Sequence, residues 1–105
     1  MQFKQLENKV LNNAKKYSKK YRVKIDKDFA LLKLYEEVGE LAQAVLIARR
    51  KSRPEKFLNA KESKKPVAKE LADIVGMVMI NAKLMKIDLE DAIIKKWITR
   101  EWIKK

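Results

Sequence analysis

The sequence predicts an all-α domain, a four-helix bundle-like fold completed by homo-oligomerisation, and three observations carry that prediction. The chain of 105 residues contains only two Gly and two Pro, too few turn formers for many short strands. Its apolar residues recur at steps of three and four rather than alternating. The run Ile74-Val75-Gly76-Met77-Val78-Met79-Ile80 is apolar nearly all round. A helix holding it needs cover on more than one side, which three neighbours in so short a chain barely provide. At this length, residues 1–105 form one domain.

The first helix is expected from Gln2 to about Tyr21, where Phe3, Leu6, Val10, Ala14 and Tyr17 form a stripe and the other faces are largely lysine. A polar, extended stretch, Arg22 to Lys27, leads to Asp28 as the cap of a second helix. Its stripe is Leu34, Val38, Leu41, Val45 and Ala48, and it fades near Arg50. Arg49 to Lys65 reads as a basic, mobile connection with a short helical turn around Lys56 to Asn59. Pro66 fits the first turn of a third helix, where its missing N–H is no loss, and the helix continues through Leu71, Val75, Val78, Ala82 and Met85. Gly76 lowers helix propensity there, and close approach by another helix, from this chain or a second copy, is the expected compensation. Asp88 caps a fourth helix with Asp91 in its first turn, and Ile93, Ile94, Trp97, Ile98 and Trp102 give it apolar surface.

Composition narrows the chemistry. With no Cys and no His, thiolate nucleophiles, imidazole bases and nitrogen or sulfur metal sites are excluded. Carboxylates, amines, hydroxyls or a metal held by oxygen remain. A formal charge of +12 favours polyanionic partners, whether nucleotide phosphates, nucleic acid or an acidic membrane face. Lys4, Glu7 and Lys9 interrupt any leader-like hydrophobic run, and no apolar stretch is long enough to span a bilayer. The expectation is a cytoplasmic protein with no membrane partner.

Two acidic pairs stand out. Glu37 and Glu40 project from one side of the second helix beside Glu36, and Glu70 and Asp73 repeat the spacing on the third. Such pairs also occur on solvated helix faces. Here, however, they lie at the edge of apolar surface in an otherwise basic chain, on the two most apolar helices. Helix packing that brought them face to face would gather four carboxylates, each raising the others' pKa unless a cation neutralised them. Oxygen-only ligands select a hard divalent ion, Mg²⁺ or alternatively Mn²⁺.

Lys33-Leu34-Tyr35-Glu36-Glu37-Val38-Gly39-Glu40-Leu41-Ala42 resembles the opening motif of MazG-like nucleoside triphosphate pyrophosphohydrolases. Lys69-Glu70-Leu71-Ala72-Asp73-Ile74-Val75 resembles their Glu-x-x-Asp helix, and Ile87-Asp88-Leu89-Glu90-Asp91-Ala92 the start of the helix after it. The resemblance runs from about Phe29 to Arg100, with Gln2 to Tyr21 as the leading helix. It implies an all-α fold related to dimeric dUTPases and a homodimer or homotetramer. The activity implied is Mg²⁺-dependent cleavage of a nucleoside triphosphate to monophosphate and pyrophosphate, usually interpreted as house-cleaning of the nucleotide pool. Glu37, Glu40, Glu70 and Asp73 become the metal ligands, and Glu36 or Glu37 orients or deprotonates the attacking water. Lys33, Lys96 and Arg100 are the phosphate-binding candidates, although Lys33 equally suits a salt bridge to Glu37. The Asn often found near the end of the family's last helix is absent, and Thr99 or Arg100 occupies its region.

Two other readings compete. A basic helical nucleic-acid-binding module suits the charge but lacks an interpretable recognition element. A non-catalytic regulatory module suits the missing Asn. Trp97 and Trp102 read as core or subunit interface in preference to base stacking, and Met77, Met79 and Met85 as packing.

Overall fold

A computed structural model of the protein describes residues 1–101. The four expected helices are present, and among the described residues there is no strand. Helix α1 spans Phe3–Tyr21, α2 Lys27–Ala48, α3 Ala60–Leu84 and α4 Leu89–Ile93. Trp102 lies outside the described residues.

Local chemistry sets each boundary. A reciprocal capping box between Gln2 and Gln5 opens α1, and Arg22 closes it in the left-handed region at φ 54°. Asp26, rather than Asp28, caps α2. Its extended backbone lets Oδ1 accept the Phe29 N–H at 2.9 Å, while Asp28 falls in the first turn and meets only the helix dipole. The turn in the basic connection is a 3₁₀ turn at Pro54–Lys56, because Pro54 is preset for a first helical position. Phe57 and Asn59 are then extended, and the Asn59 side chain accepts the Glu62 N–H at 2.7 Å. Helix α3 thus begins at Ala60 and Pro66 lies inside it. A good cap at Asn59 outweighs the single helix hydrogen bond that proline removes. Asp88 caps α4 as expected, accepting from the Asp91 N–H at 3.1 Å. A π-helical turn, Ile94–Ile98, continues α4 and ends with the Thr99 N–H donating to the Ile94 carbonyl.

Helices α2 and α3 form an antiparallel hairpin, and α1 packs on α3. Ala30, Ala44, Met79, Ile80 and Ala82 are its buried apolar residues. Small side chains at Ala30 and Ala44 let α3 come near α2, where Asn81 Nδ2 donates to the Ala30 carbonyl at 2.9 Å and to the Met77 carbonyl at 2.8 Å. Gly76 faces α1, but an added Cβ would meet Val10 Cγ1 at an ordinary 3.7 Å, so close helix approach does not require this glycine. Helix α4 runs mainly into its own π-helical continuation, and a 2.8 Å ion pair from Lys4 to Asp88 ties its start to α1.

The chain is expanded. Its radius of gyration is 16.5 Å, against about 13 Å for a compact domain of this length. Several residues of the expected core stripes, Val38, Leu71, Val75 and Met85, are exposed, as are Tyr35, Trp97 and Ile98. Leu31, Tyr35 and Val38 follow helical spacing on the side of α2 roughly opposite Glu37. Among the described residues, no helix is long and apolar enough to cross a membrane.

Candidate metal centre

The antiparallel hairpin brings the two acidic pairs together. Glu37 and Glu40, one turn apart on α2, meet Glu70 and Asp73, one turn apart on α3, with one carboxylate oxygen from each lying within 4.8 Å of the others. Glu37 is 6 % exposed and Glu70 9 %, while Glu40 and Asp73 are half-buried. Glu37 Oε2 and Glu70 Oε2 are buried with no hydrogen-bond partner in the protein. Buried carboxylate oxygens without partners are costly, and here two of them belong to a cluster that repels itself.

The electrostatics follow from that crowding. Burial pushes the Glu37 carboxyl up to about 7, helped by a shared hydrogen bond and charge repulsion from Asp73 and by the charges of Glu40 and Glu70. Glu40 is raised for the same reasons, burial first and then Glu70 and Glu36, with Lys33 opposing. Lys33 Nζ is 3.9 Å from Glu37 Oε1 but is bonded directly to Glu36, which raises its own pKa. A single lysine shared with an outer glutamate does not neutralise four carboxylates. The donor set is entirely anionic oxygen, two of those oxygens are orphaned, and the chain contains no His or Cys. These residues fit a hard divalent cation.

The remaining candidates lie outside the cluster. The exposed Glu36 faces Lys33 rather than the four-carboxylate seam. Lys96 sits on the exposed π-helical turn and Arg100 beyond its end at φ 60°. Neither forms an ion pair among the described residues, and neither figures among the charges acting on Glu37 or Glu40. The single chain gathers the metal-ligand candidates and Lys33, but not Lys96 or Arg100.

One feature escaped the sequence reading. An open cavity of about 380 Å³ lies between α1, α2 and α3, walled by Glu37 and Asp73 on the metal-centre side and by Asn13, Tyr17 and Phe29 on the other. The signal was present in the position of Asn13, an amide one turn from both Val10 and Tyr17 at the border of the α1 stripe. Its meaning depended on knowing that α1 packs beside the acidic seam.

Comparison with known proteins agrees with this geometry. The family model described as the MazG nucleotide pyrophosphohydrolase domain matches residues 26–102, a span that contains all four clustered carboxylates. Searches of curated proteins and of solved structures return no significant match. With most of its length matched and both acidic pairs meeting on an all-α hairpin, the chain belongs to the MazG nucleotide pyrophosphohydrolase domain family.

Proposed function

We propose that this protein hydrolyses nucleoside triphosphates to nucleoside monophosphates and pyrophosphate, using a divalent ion, Mg²⁺ or Mn²⁺, held by Glu37, Glu40, Glu70 and Asp73. The observation that carries the reading is the convergence of four carboxylates at a partly buried seam with two orphaned oxygens. The adjoining 380 Å³ cavity has room for a nucleoside whose phosphates point at the seam. When bound, the metal supplies Lewis-acid polarisation of the phosphate oxygens and a more acidic water.

The protein's own groups would do the rest. Water attacks the α-phosphorus, the bond from that phosphorus to the bridging oxygen breaks, and pyrophosphate leaves. Glu37, which lies beside the cavity while Glu36 is engaged with Lys33, is better placed than Glu36 to orient the attacking water or take its proton. Glu36 instead positions Lys33, which lines the cavity with its ammonium 3.9 Å from Glu37 Oε1 and can meet phosphate there. Lys96 and Arg100 would reach the phosphates only through assembly of protomers.

That assembly is part of the proposal. The accessible surface is 8567 Å², against roughly 6,100 Å² expected of a compact monomer of this mass. The excess of about 2,500 Å² per copy corresponds to about 5,000 Å² shared between two copies, at the upper end of obligate subunit interfaces, and a homodimer or homotetramer burying the exposed apolar side of α2 would remove part of it. A role in nucleotide-pool house-cleaning is consistent with such an activity.

The test is pyrophosphate release from a panel of dNTPs and NTPs with Mg²⁺, run beside Glu40→Gln, Asp73→Asn and an EDTA control. The expected result is equimolar monophosphate and pyrophosphate, abolished by either substitution and by EDTA. Release of orthophosphate, or metal-independent hydrolysis, would overturn the reading.

A further inference from the structure

A second and larger concavity lies on the other side of α1 from the nucleoside-sized cavity. It has a volume of about 890 Å³ and is open to solvent between α1, the segment joining α1 to α2, and the C-terminal turns of α3. Lys15, Lys16, Lys19, Lys24 and Lys83 surround it, and no Asp or Glu lines it. All five are exposed, and none forms an ion pair among the described residues. Its floor is apolar, made by Leu11, Ile25, Ile80 and Leu84. Asn8 and Asn12, one turn apart, place their amides at the same edge as Lys15 and Lys19, so polar groups run along the groove in a row.

We infer that this groove binds a single strand of nucleic acid, phosphates against the lysine rim and bases against the apolar floor. A lysine-rich rim with no acidic residue, set around an apolar trough, is complementary to a chain carrying anions on one edge and flat apolar rings on the other. Other occupants fit less well. A second copy of the protein would set five lysines against their like in a two-fold contact, whereas the exposed apolar side of α2 carries no such penalty. A membrane surface calls for a protruding apolar face, and here the apolar residues line the bottom of a hollow. A duplex backbone is too broad to lay its bases on that floor. With no aromatic residue lining the groove, base stacking adds little and the binding is electrostatic, indifferent to sequence and sensitive to salt.

The experiment is fluorescence anisotropy of a labelled oligothymidylate with the full chain in EDTA, so that hydrolysis plays no part. Five phosphate contacts predict a log–log slope of affinity against NaCl of about −3 to −4 for a single strand. The Lys15→Glu/Lys19→Glu pair is expected to weaken binding by about tenfold or more while leaving pyrophosphate release intact. The charge-matched pair Lys51→Glu/Lys56→Glu, in the connection at the far end of the α2–α3 hairpin, and the Asp73→Asn variant are both expected to bind within about twofold of the unaltered protein. Absence of binding by the unaltered protein overturns the inference. So do equal losses in both lysine pairs, preference for duplex, or transfer of the groove effect to anionic vesicles. A change of oligomeric mass in the groove pair with strand binding retained assigns the groove to a second copy, and also overturns it. Since the groove shares no carboxylate with the metal centre, failure here leaves the hydrolase reading standing, and the reverse is equally true.

Discussion

The Asn81 side chain on α3 donates to the Ala30 carbonyl on α2 at 2.9 Å, a bond that spans the two helices in the same register in which the acidic pairs meet. Glu37 lies two turns beyond Ala30 and Asp73 about two turns before Asn81, so antiparallel helices joined at 30 and 81 carry 37 opposite 73 and 40 opposite 70. The Asn81 amide Nδ2 also donates to Met77, while its Oδ1 is buried without a partner.

Removing that clasp should loosen both the fold and the centre. Asn81→Ala is expected to lower stability by about 1–3 kcal/mol in urea denaturation and to weaken Mn²⁺ binding measured by calorimetry. An unchanged midpoint together with unchanged metal affinity would show that the register is set elsewhere.

The pH dependence of the metal-free protein should run opposite to that of most proteins. Glu37 is raised from 4.5 to about 7 by burial and by Asp73. Below pH 4.5 it is protonated both folded and unfolded, and the stability is complete. As pH rises from about 4.5 to 7, the unfolded chain ionises freely while the folded one resists, and on the order of 3 kcal/mol is lost. Thermal melts in EDTA should therefore show a falling midpoint over this window, and Glu37→Gln should flatten the curve.

Metal binding must release the proton that Glu37 holds. Affinity for Mn²⁺ or Mg²⁺ is accordingly expected to drop as pH falls below about 7, with proton uptake or release detectable by titrating in buffers of different ionisation enthalpy. Equal affinity at pH 6 and pH 8 would mean that Glu37 is already ionised in the free protein.

Function and stability should part company at the seam. Asp73→Asn removes a charge that raises Glu37, so the metal-free variant is expected to be no less stable than the unaltered chain while losing metal-dependent pyrophosphate release. Loss of the fold in circular dichroism would contradict this account of the repulsion.

Much of the site was legible because helix spacing is local. Glu37 with Glu40, and Glu70 with Asp73, had to share helix faces once their segments were helical. What the sequence withheld was relational. Asp26 and Asp28 are equally good cap residues in isolation, and only the extended backbone at Asp26 decides between them. Pro66 looked like a beginning because proline suits one, but the Asn59 cap lies a full two turns earlier. Asn81 carries no periodic signal, since its importance comes from a carbonyl 51 residues away. The cavity beside Glu37 needed the placement of α1, and the exposure of Lys96 and Arg100 needed the shortness of α4.

The position of Pro66 divides α3 unequally. It offers no N–H to the Glu62 carbonyl four residues before it, so Ala60 to Lys65 can fray without breaking a hydrogen bond at that step of the ladder. Amide exchange should change abruptly there, with rapid exchange through the connection and the opening turns and slow exchange from Glu70 to Ala82. Proline thereby acts as a mechanical fuse: length changes or movement in the Arg49–Lys65 segment are absorbed before they reach Glu70, and that surface can be remodelled while the carboxylates keep their places.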